Sequence, residues 1–172
     1  NKVEPADEDL LKAKFKNFKR AKNVSDALDI IQTNVPLFKD LTTLQLREFM
    51  LDSEVQSPKA GSVIFQKNDY TNTFFSIVDG EVMVDVPAED GKVKQVALRK
   101  GQFFGELGLL SGRRRSGTVR AGENCVLVET PRRSMLKLIA SIEPVRRQID
   151  ETSLRRAVRA QIAPFLSDPD LD

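Results

Sequence analysis

Apolar positions change rhythm twice along this chain. Over about residues 5–22, Leu10, Leu11, Phe15 and Phe18 return every three or four positions, the spacing of one helix face. Ser25 then stands as an N-cap before Asp26-Ala27-Leu28-Asp29-Ile30-Ile31, and Pro36 ends that helix. Thr42 or Thr43 caps a further helix through Leu44, Leu46, Phe49 and Met50. From about Val55 short β-rich runs take over. Val63-Ile64-Phe65, Phe74 to Val78, Val82 to Val86, Val93 to Leu98, Gly117 to Ala121 and Cys125 to Glu129 read as strands. Turns fall at Lys67-Asn68-Asp69, Asp90-Gly91 and Lys100-Gly101, and Asp79-Gly80 is a hairpin signal. Pro131 restores the helical rhythm with Met135, Leu136, Leu138 and Ile139. Pro144 divides that region, and a longer helix from about Val145 to Phe165 carries Ile149, Leu154, Val158 and Ile162.

This order predicts a mainly β fold with flanking helices: a β-roll or jelly-roll barrel after an N-terminal helical bundle and before two more helices. Residues 1–24 are read as a helical extension and 25–166 as one domain, with leading helices at 25–52, the barrel at 55–130 and C-terminal helices at 131–166. Residues 167–172 are a tail.

Composition removes several function classes. The 172 residues suffice for one domain with a core, and a net charge of +2 leaves no bulk polyanion binder. With no histidine, Ser-His-Asp triads, Cys-His dyads and His-based metal sites are excluded. Cys125 is the single cysteine, so no internal disulfide or cysteine cluster forms, and its place beside Val126-Leu127-Val128 predicts a buried thiol. No metal site and no catalytic constellation is expected. No run spans a bilayer and no signal peptide opens the chain, which points to a cytoplasmic location. The start at Asn1 and the acidic end suggest a piece of a longer protein. The N-terminal lysines read as the solvated face of a helix.

Chemistry concentrates in Phe103-Phe104-Gly105-Glu106-Leu107-Gly108-Leu109-Leu110, followed shortly by Arg115-Ser116-Gly117-Thr118-Val119. Backbone amides at a helix start and a guanidinium suit a phosphate, and a carboxylate suits a sugar hydroxyl. The segment resembles the phosphate-binding cassette of the cyclic nucleotide-binding domain superfamily. Supporting matches are Val35-Pro36-Leu37-Phe38, Gly61-Ser62-Val63-Ile64 and Phe75-Ser76-Ile77-Val78-Asp79-Gly80-Glu81-Val82, so the likeness runs from about Val35 to Ile162.

The resemblance implies a sensor module that binds cAMP, or less favourably cGMP, with no other cofactor and no enzymatic activity. It assigns Glu106 to the ribose 2′-hydroxyl, Arg115 to the cyclic phosphate, and the amides of Gly105, Leu107, Gly108 and Ser116 to the same phosphate. Leu107, Val119 and Val84 would seat sugar and base, with Phe104 and Gly117 completing the site. Phe103 and Phe104 read as core, and Arg113 and Arg114 as solvated loop charges. The sequence departs from the family at Arg114, where proline is frequent, at Gly117, where alanine is common, and at Asn68, where glycine is frequent. The last helix would act as hinge and lid, with Leu154, Val158 and Phe165 over the base, and relay binding to an effector domain or subunit through the N- and C-terminal helices. Nucleic acid is not an expected partner: the arginine-rich link lacks interleaved aromatics, and only about seven residues follow Phe165. Two rivals remain: a docking domain of the same fold without a ligand, and an enzyme, for which no residue set stands out.

Overall fold

Phe74-Phe75-Ser76-Ile77-Val78 lacks the alternation of a half-buried strand because both faces of that strand are covered. The computed structural model describes residues 5–88 and 90–162 and forms this run into β3 (Phe74–Asp79). Phe74 and Val78 belong to a helical core, while Phe75 and Ile77 belong to the barrel interior. The same split occurs at Phe103 and Phe104 of β6 (Phe103–Phe104) and at Val128 and Leu127 of β8 (Val126–Thr130). One sheet therefore serves two cores.

Among the described residues, eight strands make two four-stranded antiparallel sheets. The first has the order β1 (Glu54–Gln56), β8, β3, β6. The second has the order β2 (Val63–Phe65), β7 (Val119–Ala121), β4 (Glu81–Pro87), β5 (Val93–Arg99). The expected β-roll with flanking helices is present. The short strands β1 and β6 were not anticipated, since three and two residues carry too little pattern to read.

Asp79-Gly80 is a correction. It does not close a hairpin: β3 pairs with β6 and β8, whereas β4 pairs with β5 and β7. The dipeptide instead carries the chain from one sheet to the other. Gly80 has φ +69°, and a Cβ there would collide with the Asn124 carbonyl. A turn-forming dipeptide specifies a local reversal, but which strands pair afterwards is set by distant partners. The β4–β5 hairpin around Asp90-Gly91 forms as expected.

Helix α1 (Pro5–Lys14) stops earlier than the predicted residue 22, yet Phe15 and Phe18 are still buried, whereas Leu10 is exposed. Helix α2 (Val24–Asn34) is capped by Asn23, not Ser25: the Asn23 side chain accepts from the Asp26 amide at 2.8 Å. Ser25 already lies in the first turn. A 3-10 turn at Pro36–Phe38 leads to α3 (Thr43–Asp52), where Thr42 and Gln45 form a reciprocal capping box. Helices α4 (Glu106–Ser111), α5 (Arg132–Ser141) and α6 (Glu143–Ile162) follow.

The helical core gathers Phe38, Met50, Met135, Val145 and Ile149, and Leu109 of α4 is buried in it. The N-terminal basic residues are not all solvated. Lys14 donates to the Ser53 carbonyl at 2.6 Å, whereas Arg20 stays exposed and pairs with Asp79 at 2.5 Å, next to the sheet crossover. Lys12, Lys16 and Lys19 are exposed. No helix among the described residues is long and apolar enough to cross a membrane. Phe165 and residues 167–172 lie outside the described residues.

Candidate functional site

Gly105 sets the geometry of the site. It joins β6 to α4 with φ +89°, a left-handed conformation that side chains disfavour. A Cβ there would come within 2.9 Å of both the Arg115 Nη1 and the Thr73 carbonyl oxygen. The missing side chain is therefore the room in which Arg115 lies.

Arg115 is buried, at 4% exposure. Its Nε donates to Thr71 Oγ1 at 3.0 Å, its Nη2 to the Thr73 carbonyl at 2.7 Å and its Nη1 to the Gly105 carbonyl at 3.3 Å. The guanidinium carbon stands 4.1 Å from the centre of the Phe65 ring. The backbone is fixed as well: the Arg115 amide donates to the Asp69 carbonyl and the Arg115 carbonyl accepts from the Asn68 amide, both at 2.8 Å. Asn68 takes the left-handed φ of +77°, a region asparagine tolerates. Burial pulls the Arg115 guanidinium below its ordinary value, and Glu129, Glu106 and Asp69 oppose that pull. An arginine remains charged under such a shift.

Glu106 opens α4 and is also buried, at 4% exposure. Its partner comes from far along the chain. Arg156 Nη1 donates to both carboxylate oxygens of Glu106, at 2.9 and 3.3 Å. The Arg156 guanidinium also lies 5.4 Å from the centre of the Phe103 ring. Helix α4 is held from behind by Leu109, whose carbonyl accepts from Arg132 Nε at 3.0 Å.

These groups face one cavity of about 390 Å³. Sites for small molecules commonly measure about 300–1,000 Å³. All ten residues proposed from the sequence line it. Gly105, Glu106, Leu107 and Gly108 run along α4, and Arg115, Ser116 and Gly117 form the following loop. Phe104, Val119 and Val84 form an apolar wall. Phe104 is at the same time a core residue, stacked on Phe75 with ring centres 4.8 Å apart. Sequence reasoning missed Phe65 and Leu98 in that wall, the stretch from Asp85 to Pro87, and Arg156, Ala157 and Ala160 of α6. Arg114 also reaches the rim, with its guanidinium carbon 3.7 Å from the centre of the Tyr70 ring. Arg113 and Arg114 are both exposed, as expected, and of the two only Arg114 borders the cavity.

The expected lid residues, Phe165 aside, lie off the cavity in this arrangement of α6. Leu154 and Val158 face away from the cavity, at 67% and 48% exposure. The face of α6 that buries Val145 and Ile149 continues, at helical spacing, through Arg156 and Ala160. That period was available in the sequence, but it leads to a charged residue and an alanine, which apolar pattern-reading passes over.

Residues 55–141 match the family model described as cyclic nucleotide-binding domain. A cyclic nucleotide-gated potassium channel of Rhizobium etli is 34% identical over 122 residues, covering 71% of this chain and 33% of the channel. The cAMP-dependent protein kinase regulatory subunit of Schizosaccharomyces pombe is 34% identical over 87 residues, 51% of this chain and 20% of that protein. The solved structure of PKAR CBD2 bound to Sp-2Cl-cAMPS is 26% identical with a TM-score of 0.63, covering 84% of this chain and 92% of that one. The chain spans a third or less of the length of these two sequence relatives.

Proposed function

The chain belongs to the cyclic nucleotide-binding domain family, and on that premise we propose that it is a regulatory module that binds a cyclic nucleotide, cAMP in preference to cGMP, without chemistry of its own. The observation that carries the reading is that Glu106 and Arg115 line one cavity, with the first turn of α4 between them. The amides of a first helical turn have no partner within their helix. With the Arg115 guanidinium they suit a cyclic phosphate, and Glu106 suits the ribose 2′-hydroxyl. The wall of Val84, Leu98 and Val119 suits the apolar faces of sugar and base. Charge-assisted hydrogen bonds contribute roughly 1.5–3 kcal/mol each, enough together for micromolar to nanomolar affinity after association costs. Support for cAMP is a relative named for its dependence on cAMP; the serine at position 116 is compatible with either nucleotide.

The relay runs through Arg156. A ribose hydroxyl that donates to Glu106 competes with Arg156 for the same carboxylate, so ligand shifts the equilibrium of α6 on the cassette. An effector domain or subunit attached through the N- or C-terminal helices would read that shift.

One observation favours a second reading. Glu106 already has a cationic partner within the chain, as a ligand-independent docking domain would need. Calorimetric titration with cAMP and cGMP separates the two. Saturable binding with cAMP the tighter ligand supports the sensor, heat from neither nucleotide leaves the docking domain, and tighter cGMP reverses the preference.

A further inference from the structure

Arg113, Arg114 and Ser116 are all exposed, on a stretch from 112 to 118 that is neither helix nor strand. The two guanidiniums stand three and two residues before the serine hydroxyl. Serine kinases that select basic substrates read this pattern, since arginines at those positions can pair with carboxylates of the enzyme while the hydroxyl approaches the nucleotide. We propose that Ser116 is a phosphorylation site and that a phosphate placed there occludes the ligand cavity.

The chain contains its own comparison. Arg132-Arg133-Ser134 also sets arginines before a serine, but Ser134 is only 8% exposed and its hydroxyl already donates to Asp52 at 3.0 Å. Thr118 is half-buried and its Oγ1 accepts from the Lys67 amide at 3.1 Å. Ser116 lies beyond a buried anchor, Arg115, and faces outward at the cavity wall.

The transfer is an ordinary phosphoryl transfer. The Ser116 Oγ attacks the γ-phosphorus of ATP, the bond to the β,γ-bridging oxygen breaks, ADP departs, and the hydroxyl proton passes to the kinase's carboxylate. The product carries about −1.5 to −2 charges next to Arg114 and Arg115. It draws Arg114 off the Tyr70 ring and sets three anionic oxygens in the region proposed for the cyclic phosphate. The occlusion rests on the proposed function, whereas the modification does not.

The test treats the 172-residue chain with ATP and the catalytic subunit of cAMP-dependent protein kinase. Tandem mass spectrometry is expected to place one phosphate on Ser116 and none on Ser134. Arg113→Ala, which lies off the cavity, should slow modification about 10-fold and leave cyclic nucleotide affinity unchanged. The modified chain should bind cAMP at least about 10-fold more weakly. Tyr70 is the only tyrosine in a chain without tryptophan, so its emission reports Arg114 directly and should change on modification. An unmodified Ser116, under conditions that fully modify a basic control peptide, overturns the proposal. So does a phosphorylated chain with unchanged cAMP affinity, or with unchanged Tyr70 emission. If the untreated chain binds neither nucleotide, the ligand reading fails, while mass and Tyr70 emission still decide the modification.

Discussion

Arg156 of α6 and Glu106 of α4 form an ion pair at 2.9 Å across the cavity mouth, with side chains only 13% and 5% exposed. The pair joins the one carboxylate of the cassette to the second half of the last helix, fifty residues later. A buried pair of this kind depends on both members, because either charge alone would stay desolvated.

Arg156→Ala should therefore loosen α6 locally. Removing one partner of a buried pair costs about 3–5 kcal/mol where the other charge cannot escape. Here the second half of α6 can lift and admit water, which lowers the cost. Amide exchange is expected to accelerate over residues 150–162 while the barrel strands keep their protection; exchange rates unchanged over α6 would remove Arg156 from the relay.

Arg115→Glu should weaken cyclic nucleotide binding at least about 100-fold, or about 2.7 kcal/mol, since it replaces a cation with an anion at the phosphate seat. Arg115→Lys keeps the charge but loses the fork that holds Thr71, Thr73 and Gly105, and should fall between the two. Calorimetry on folded variants, verified by thermal melting, reads both. Wild-type affinity in Arg115→Glu would dismiss this arginine as the phosphate partner.

Glu106→Gln should reduce affinity for cAMP about 10-fold and barely alter affinity for 2′-deoxy-cAMP, because only the first ligand offers the hydroxyl. Equal losses for the two ligands would place the ribose elsewhere.

Gly105→Ala and Gly61→Ala both force alanine into a left-handed backbone, at +89° and +88°. That conformation costs about 1–2 kcal/mol in each. A methyl group at Gly61 would have nothing within 4 Å, whereas at Gly105 it meets Arg115 and the Thr73 carbonyl. Chemical denaturation should show Gly105→Ala losing clearly more stability, and equal losses would mean that Arg115 moves aside freely.

Cys125 is 3% exposed, and burial pushes its thiol up from 9.0 to about 11. The folded state thus holds its proton where the unfolded chain has released it. Stability contributed by this difference is complete below about pH 9 and is lost as pH rises from there toward about 11. Cys125→Ala should flatten that decline, and the wild-type thiol should resist alkylation at neutral pH until the chain unfolds.

Local signals in the sequence were strong wherever short-range physics decides the outcome. Thr42 caps its helix, Asp90-Gly91 turns a hairpin, and Phe104 to Val119 supply the cavity wall and its charges. They failed once locally, at the Ser25 cap, and otherwise where a partner lies far off. Asn23 outcompeted Ser25 through a contact three residues away, but Asp79-Gly80 became a sheet crossover only because β3 found β8 and β6.

By itself, then, the sequence determined the succession of helices and strands and the residues of the cassette, because periodicity, capping and turn chemistry act over a few neighbouring positions. Only the tertiary structure decided that Arg156 would meet Glu106, that Leu154 and Val158 would turn outward, and that Arg115 would lie in the space a side chain at Gly105 would fill. Those choices depend on how α6 and the two sheets are placed against one another, and burial of distant surfaces, which no local pattern encodes, sets that placement.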